Sequence, residues 1–134
     1  MHKIAFALIV KNDEEVVRLE NCLKTVVPYV DGVFVTGTKE PQVEIKKLCK
    51  KYNATWSWFK WCSDFSEARN YNFSQVPKEF EYIFWMDSDD LLVGGETFQQ
   101  ACEMGMKSDI KAIFARYLYQ VEFDEKGNVK QILI

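Results

Sequence analysis

Residues 3–15, KIAFALIVKNDEE, decide the fold of this chain. Residues 4–10 are apolar without a break, a pattern typical of a strand that is buried on both faces of a sheet. The polar and acidic residues that follow, from Asn12 to Glu15, suit the cap and first turn of a helix. The segment therefore predicts a buried strand that leads directly into a helix.

The rest of the chain repeats this alternation of short apolar runs and helical segments. Three further buried or half-buried strands are predicted at residues 32–36 (GVFVT), 55–59 (TWSWF) and 82–86 (YIFWM). The first helix is expected to end at Pro28, the second to begin at Pro41, and the third to run from a Ser66 cap to about residue 76. A helix over residues 96–106 and a terminal hairpin formed by residues 112–123 and 129–134 complete the prediction. The alternation favours an α/β fold with a mostly parallel sheet that is covered on both sides.

Length and charge limit the classes of function. The chain has 134 residues, which predicts one domain over residues 1–134. Its formal net charge is -3, so it has no basic field for gripping nucleic acid, and we expect no nucleic-acid partner. A small anionic ligand would therefore need a metal ion or local cationic groups.

The cysteines and the first apolar run indicate the cellular compartment of the protein. Cys22, Cys49, Cys62 and Cys102 lie far apart, and three of them fall in predicted helices. This scatter favours reduced thiols in the cytoplasm, although two disulfides remain an alternative. The apolar run 4–10 is too short to span a bilayer and no cleavage site follows it, so no membrane segment or secretion signal is expected.

Candidate ligand-binding residues follow the predicted strands. In an open parallel sheet, ligands bind beyond the carboxyl ends of the strands, where the strand order switches. Lys11 and Asn12 follow the first strand, Thr36 begins a polar segment at the end of the second, and residues 87–90 (DSDD) follow the fourth. We expect all of them on the same rim of the sheet.

Three acids in residues 87–90 form the strongest candidate site. Asp87, Asp89 and Asp90 would repel one another, and a divalent cation would relieve that repulsion. Mg²⁺ and Mn²⁺ prefer such carboxylate oxygens, and Mg²⁺ is often bound by one or two carboxylates together with substrate phosphates. The alternative is a solvated acidic turn that caps the next helix, and position alone does not decide between the two.

Several other chemistries lack the residues they need. The only histidine is His2, so neither a Ser-His-Asp nor a Cys-His scheme has its base, and zinc sites that use histidine fail for the same reason. The sequence contains no G-x-x-x-x-G-K-[ST] and no G-x-G-x-x-G phosphate loop. Trp56, Trp58, Trp61 and Trp85 could stack on sugars or bases, but aromatic residues beside strands more often belong to the core.

Three stretches together resemble the family 2 glycosyltransferases of the GT-A fold. Residues 9–14 (IVKNDE) are similar to the family's I-V-K-N-E-E, residues 59–70 (FKWCSDFSEARN) to its F-x-W-x-x-D-F-x-x-A-R-N, and residues 85–90 (WMDSDD) to its W-x-D-A-D-D. The order and spacing of these stretches agree with those of the family's motifs from about residue 3 to residue 120. The resemblance implies a Rossmann-like three-layer sandwich and an inverting transfer from a nucleotide-diphospho-sugar, with a UDP-sugar as the expected donor and Mg²⁺ or Mn²⁺ as the metal.

The resemblance also implies roles for individual residues. Asp89 would bind the metal that bridges the diphosphate, Asp87 would hold the ribose or share the metal, and Asp90 would support the cluster. Lys11 and Asn12 would belong to the loop that packs on the nucleoside. Arg69 would meet the base or the phosphates; its alternative is a structural role in an ion pair with Glu67 or Asp64.

The sequence departs from the family pattern in two places. Where the family has an aspartate after its second strand, this chain has Val35, and Thr36 is the expected substitute as a nucleoside contact. The family's acceptor-side region and catalytic base lie farther along than residue 134, so the base is unassigned and we expect a truncated form. A homodimer through the terminal strands is a further expectation.

Two competing functions remain open at this stage. A phosphohydrolase could use Asp87 as its nucleophile, although it would need a lysine and further acids downstream. The other alternative is a non-catalytic nucleotide-sugar-binding or assembly module with the same fold.

Overall fold

A computed structural model describes residues 3–115, 121–123, 125–126 and 129–132. Its centre is a parallel sheet of four strands in the order β3-β2-β1-β4. These strands are β1 (Ile4–Val10), β2 (Gly32–Gly37), β3 (Thr55–Trp58) and β4 (Tyr82–Phe84). The predicted α/β architecture with a parallel sheet is confirmed.

Four helices connect and cover these strands. They are α1 (Val16–Val26), α2 (Val43–Lys51), α3 (Phe65–Ser74) and α4 (Gly95–Lys107), and short 3₁₀ turns at Asp13–Glu15 and Val27–Tyr29 flank α1. Strands β5 (Val121–Phe123) and β6 (Val129–Ile132) pair antiparallel as a separate two-stranded sheet. No helix among the described residues has both the length and the apolar character needed to cross a membrane.

The two faces of the parallel sheet bury different side chains, because successive side chains of a strand point to opposite faces. On one face, Phe6, Leu8 and Val35 join the core that includes Leu19 and Leu23 of α1. The residues of α2 in this core are Ile45, Leu48 and Cys49. On the other face, Ala5, Ala7 and Phe34 pack against Phe73, Val76 and Phe80, at the end of α3 and in the segment after it. The sheet therefore lies between two helical layers.

The strand order switches at β1, and open α/β sheets bind their ligands at such a switch point. The chain adds β2 and β3 on one side of β1 and then crosses to place β4 on the other side. A crevice consequently opens beyond the carboxyl ends of β1 and β4, where open α/β sheets bind their ligands.

Several element boundaries differ from the sequence prediction: α2 begins at Val43 and not at Pro41, and the largest other differences are in α3 and β4. Helix α3 is capped by Asp64, whose carboxylate accepts a hydrogen bond from the backbone N–H of Glu67 at 3.2 Å, and Ser66 lies inside the first turn. Strand β4 is shorter than predicted and is not fully buried, since Ile83 is 40% exposed. The reason is that β4 pairs with β1 alone within the described part of the chain, so its apolar run belongs to an edge strand.

The terminal hairpin is partly within the described residues. Strands β5 and β6 confirm an antiparallel pair, but residues 111–115 have no regular structure, and residues 116–120 and 133–134 lie outside the described part. All four cysteines are free: Cys22, Cys49 and Cys102 are buried in helices and Cys62 is exposed. The expected reduced thiols are confirmed in this structure.

Candidate functional site

A cleft of about 420 Å³ lies at the carboxyl ends of β1 and β4. Its walls come from the end of β1, the segments that follow β2 and β3, the first turns of α3 and the segment after β4. The polar and aromatic residues that line it are Lys11, Glu15, Arg18, Thr38, Lys39, Trp61, Phe65, Arg69, Asp87, Ser88 and Asp89. The cleft therefore coincides with the switch point of the sheet.

The acidic residues after β4 form a turn on this cleft. The backbone N–H of Asp90 donates to the carbonyl oxygen of Asp87 at 3.1 Å, which closes the turn. Carboxylate oxygens of Asp87, Asp89 and Asp90 all lie within 4.8 Å of one another. Asp87 and Asp89 are exposed and Asp90 is half-buried, so the first two can reach a ligand in the cleft directly.

Two hydrogen bonds connect helix α1 to this turn and to the segment after it. The thiol of Cys22 donates to the Asp87 carbonyl oxygen across 4.0 Å, and the backbone N–H of Leu92 donates to Thr25 Oγ1 at 3.0 Å. Burial raises the pKa of the Cys22 thiol to about 12, and the nearby charges of Asp90 and Asp89 act in the same direction. The thiol therefore stays protonated and can keep its hydrogen-bond donor role.

The carboxylate ligands that this turn offers fit a hard divalent cation. Three carboxylates supply only oxygen ligands, which Mg²⁺ and Mn²⁺ prefer, and their mutual repulsion falls when a dication lies among them. No histidine or cysteine competes in this group of ligands, which makes a zinc site of the usual kind a poor match.

Glu15 connects the two sides of the cleft. Its Oε2 accepts a hydrogen bond from the backbone N–H of Lys11 at 3.1 Å and another from Ser88 Oγ at 3.2 Å. Lys11 follows β1 and Ser88 follows β4, so one carboxylate oxygen ties together the two segments that border the crevice. Sequence reasoning assigned Glu15 only to the start of the helix.

Arg69 on α3 forms the opposite, cationic side of the cleft. Its guanidinium lies 4.7 Å from the ring centre of Trp85 and 5.3 Å from that of Phe65. Burial lowers the pKa of Arg69, and the charge of Asp87 opposes that shift. Its Nη1 is buried without a hydrogen-bond partner among the described residues, an arrangement that costs about 1–3 kcal/mol.

The structural alternative for Arg69 finds no support. Arg69 forms no ion pair with Glu67 or Asp64, both of which lie in the described part of the chain. Glu67 instead accepts a hydrogen bond from the Cys62 thiol at 3.2 Å, and Asp64 caps the helix. The guanidinium packs against aromatic rings instead, and Arg69 lines the cleft.

The structure brings some of the predicted site residues together and separates others. Lys11, Arg69, Asp87 and Asp89 line the cleft, and Asp90 completes the carboxylate cluster behind them. Asn12 does not line it: this side chain is buried, accepts from the backbone N–H of Glu14 at 3.0 Å and donates to the carbonyl oxygen of Glu40 at 3.3 Å.

Thr36 also lies away from the cleft. It is fully buried, and its hydroxyl makes a 2.9 Å hydrogen bond with Ser57 Oγ and accepts another, also of 2.9 Å, from the Asn72 amide. Val35, on the opposite face of the same strand, is fully buried in the α1 and α2 core. Thr38 and Lys39 are the residues after β2 that line the cleft.

Sequence reasoning missed several residues of the cleft wall. Arg18, Lys39 and Ser88 line it, as does Trp61, which was assigned by default to the core. Lys39, Trp61 and Ser88 carry a signal that could have found them, because each follows a predicted strand. The place of Arg18 depends on how α1 packs against the sheet.

Comparison with known proteins was made for both sequence and structure. No protein-family model matches the sequence, and no curated protein matches it. A crystal structure of S. aureus TarS, residues 1–349, superposes with a TM-score of 0.60 at 17% sequence identity. The likeness shows a fold of the Rossmann-like GT-A type. The match covers 92% of this chain but only 40% of the TarS chain, so the likeness concerns less than half of that protein.

Proposed function

We propose that this chain is the donor-binding part of an inverting glycosyltransferase. It binds a nucleotide-diphospho-sugar, expected to be a UDP-sugar, together with Mg²⁺ or Mn²⁺. The observation that carries the proposal is the meeting of opposite charges at one cleft: the lining includes two of three carboxylates that lie within 4.8 Å of one another, together with the cations Lys11, Arg18, Lys39 and Arg69. The GT-A fold and the position at the switch point of the sheet support it.

The metal would be held by Asp87 and Asp89, which are exposed on the cleft, with Asp90 supporting the cluster. When bound, a divalent ion at this position supplies charge stabilisation to the departing nucleoside diphosphate. Asp87 is also the cluster member whose charge acts on Arg69, which makes it the link between the acidic and the cationic sides of the cleft.

The chain's own cations would position the donor. Lys11, Arg18 and Lys39 line the cleft together with Arg69, and they face a ligand that carries two phosphates. In the reaction we propose, an acceptor hydroxyl attacks the anomeric carbon from the face opposite the leaving group. Holding the donor in one orientation lowers the entropic part of that barrier. The catalytic base remains unassigned, because nothing in the cleft marks one of its acids for that role.

Ligand-dependent thermal stability tests this proposal directly. At about one hundred times its dissociation constant, a ligand stabilises the folded state by roughly 2.7 kcal/mol. We expect nucleoside diphosphates to raise the melting temperature only when Mn²⁺ or Mg²⁺ is present, and we expect Asp89→Asn to abolish this rise. Asp109→Asn is the matched control, because Asp109 is 85% exposed, lies outside the cluster and has a backbone φ of 57° that asparagine tolerates.

Two outcomes would overturn the assignment. One is an Asp89→Asn variant that responds to nucleotide and metal as the unmodified chain does. The other is a nucleotide response that is unchanged by adding a chelator. Hydrolysis of the bound donor, followed by release of free sugar, would separate an enzyme from a module that only binds.

A further inference from the structure

A second cleft, of about 570 Å³, lies beyond the ends of β2 and β3. It is lined by Thr38, Lys39, Glu40, Trp58, Lys60 and Trp61. Thr38, Lys39 and Trp61 also line the first cleft, so the two clefts are neighbours that share these three residues. Its volume falls within the range of about 300–1,000 Å³ that is usual for small-molecule sites.

The backbone holds the two indoles of this cleft in place. Trp58 is the last residue of β3 and pairs with Gly37 of β2. The backbone N–H of Trp61 donates to the carbonyl oxygen of Thr38 at 3.1 Å, and the Trp61 ring packs edge-on against Phe65 with the ring centres 6.3 Å apart. Both side chains are half-buried, so each is anchored on one side and accessible on the other.

A third tryptophan in the same region, Trp56, has its indole N–H paired with another side chain of the protein. Trp56 donates its Nε1–H to Gln42 Oε1 at 3.1 Å, and the Lys46 ammonium lies 4.4 Å from its ring centre. Neither Trp58 nor Trp61 has a comparable hydrogen bond from its indole nitrogen within the described residues. Their ring edges and N–H groups therefore remain available for a ligand.

The charge of this cleft is opposite to that of the whole chain. Lys39 and Lys60 are exposed and form no ion pair with the described acidic residues, whereas Glu40 is the single acid among the lining residues. The chain as a whole carries a formal charge of -3. A cationic cleft on an acidic protein favours an anionic ligand, because local charges dominate at contact distances.

We propose that the second cleft binds a saccharide that carries a phosphate group. The faces of the indoles, which bear negative charge density, take the C–H faces of sugar rings, and the indole N–H groups donate to hydroxyl oxygens. Lys60, which lines only this cleft, takes the phosphate as a point charge, and Lys39, which lines both clefts, adds a second positive charge. This binding needs neither metal nor nucleotide, but its interpretation as the acceptor subsite rests on the proposed function.

A matched pair of disaccharides tests the proposal without metal or nucleotide. Trehalose 6-phosphate and trehalose differ only in the phosphate, and their binding to the full chain can be measured by calorimetry and by quenching of tryptophan fluorescence. We expect trehalose 6-phosphate to bind at least about tenfold more tightly than trehalose, because only the phosphorylated sugar can accept charge-assisted hydrogen bonds from the two lysines.

Variants locate the binding. Lys60→Gln should remove most of the tenfold preference, because Lys60 lines only the second cleft. Lys50→Gln is the control, since Lys50 is an exposed lysine of α2 that lines neither cleft. Trp58→Phe keeps an aromatic ring while reducing its area, and it should weaken both disaccharides by a similar factor.

The outcomes that would overturn the proposal are distinct. If inorganic phosphate binds as tightly as trehalose 6-phosphate, the cleft is a simple anion site with no saccharide recognition. If Lys60→Gln leaves the preference unchanged, the phosphate lies elsewhere. Asp89→Asn should leave disaccharide binding intact while abolishing the nucleotide response, so a failure of the donor proposal and a failure of this one give different results.

Discussion

Replacing Glu15 with alanine removes a side chain that ties the segment after β1 to the acidic turn after β4. Its Oε2 accepts from the backbone N–H of Lys11 at 3.1 Å and from Ser88 Oγ at 3.2 Å. Hydrogen bonds to a charged group are worth roughly 1.5–3 kcal/mol each in mutational series, but the Lys11 contact is exposed to solvent and weaker. We therefore expect Glu15→Ala to lower the free energy of unfolding by about 1–2 kcal/mol.

Glu15→Gln separates geometry from charge. The amide oxygen of glutamine can accept both hydrogen bonds, whereas the negative charge is lost. If Glu15 acts by positioning the two segments, Glu15→Gln should recover more than half of the stability lost in Glu15→Ala. It should also retain the metal-dependent response to nucleotide, which Glu15→Ala should weaken.

Urea denaturation followed by tryptophan fluorescence provides the assay, and Ser88→Ala completes a double-mutant cycle. The two residues are in contact, so the double variant should lose less stability than the sum of the single variants, by about 0.5 kcal/mol or more. Strict additivity would show that the Glu15–Ser88 contact contributes nothing. Equal stability of the alanine and glutamine variants would show that charge alone matters, and either result refutes the role given to Glu15.

Two further predictions concern the buried polar groups and the thiols. Asn72→Ala should lower the free energy of unfolding by about 1–3 kcal/mol in the same urea assay. The reason is that the Asn72 amide donates to the Phe34 carbonyl oxygen at 3.2 Å and to Thr36 Oγ1 at 2.9 Å, and both hydrogen bonds are buried. An unchanged denaturation midpoint would show that these hydrogen bonds do not contribute to stability. In native protein at pH 8, iodoacetamide should modify exposed Cys62 first, while the Cys22 thiol, whose pKa is raised by burial to about 12, should react only after unfolding. Mass spectrometry of peptides checks the order, and early labelling of Cys22 would contradict it.

The sequence predicted the architecture well because the decisive information is local. The apolar run of residues 4–10 became β1, and polar residues after β1 and β4 reached the expected rim. Helix α3 begins two residues earlier than predicted because Asp64 and Ser66 are both good caps and only their geometry distinguishes them.

Two of the predicted contacts failed to reach the cleft for reasons that the sequence does not contain. Strand β2 continues to Gly37, one residue beyond the predicted end, so Thr36 still lies within the strand and its side chain faces α3. Asn12 is polar and follows β1 as expected, but its amide is used by the turn that begins the next helix. A polar residue after a strand can serve either purpose, and strand register and capping decide which.

The crevice itself follows from unequal strand lengths. Strand β4 pairs with β1 only from Ile4 opposite Tyr82 to Phe6 opposite Phe84, whereas β1 continues for four more residues to Val10. Beyond Phe84 the segment after β4 separates from β1. Residues 86–89 line the gap on the β4 side, and Ile9 and Val10 line it on the β1 side. Because the acids follow so closely on this divergence, their place on the cleft is determined by the sheet and by the contacts from α1, not by a long loop. A site supported in this way can hold repelling carboxylates close together before any ligand arrives, which is the preorganisation that binding a metal–diphosphate group requires.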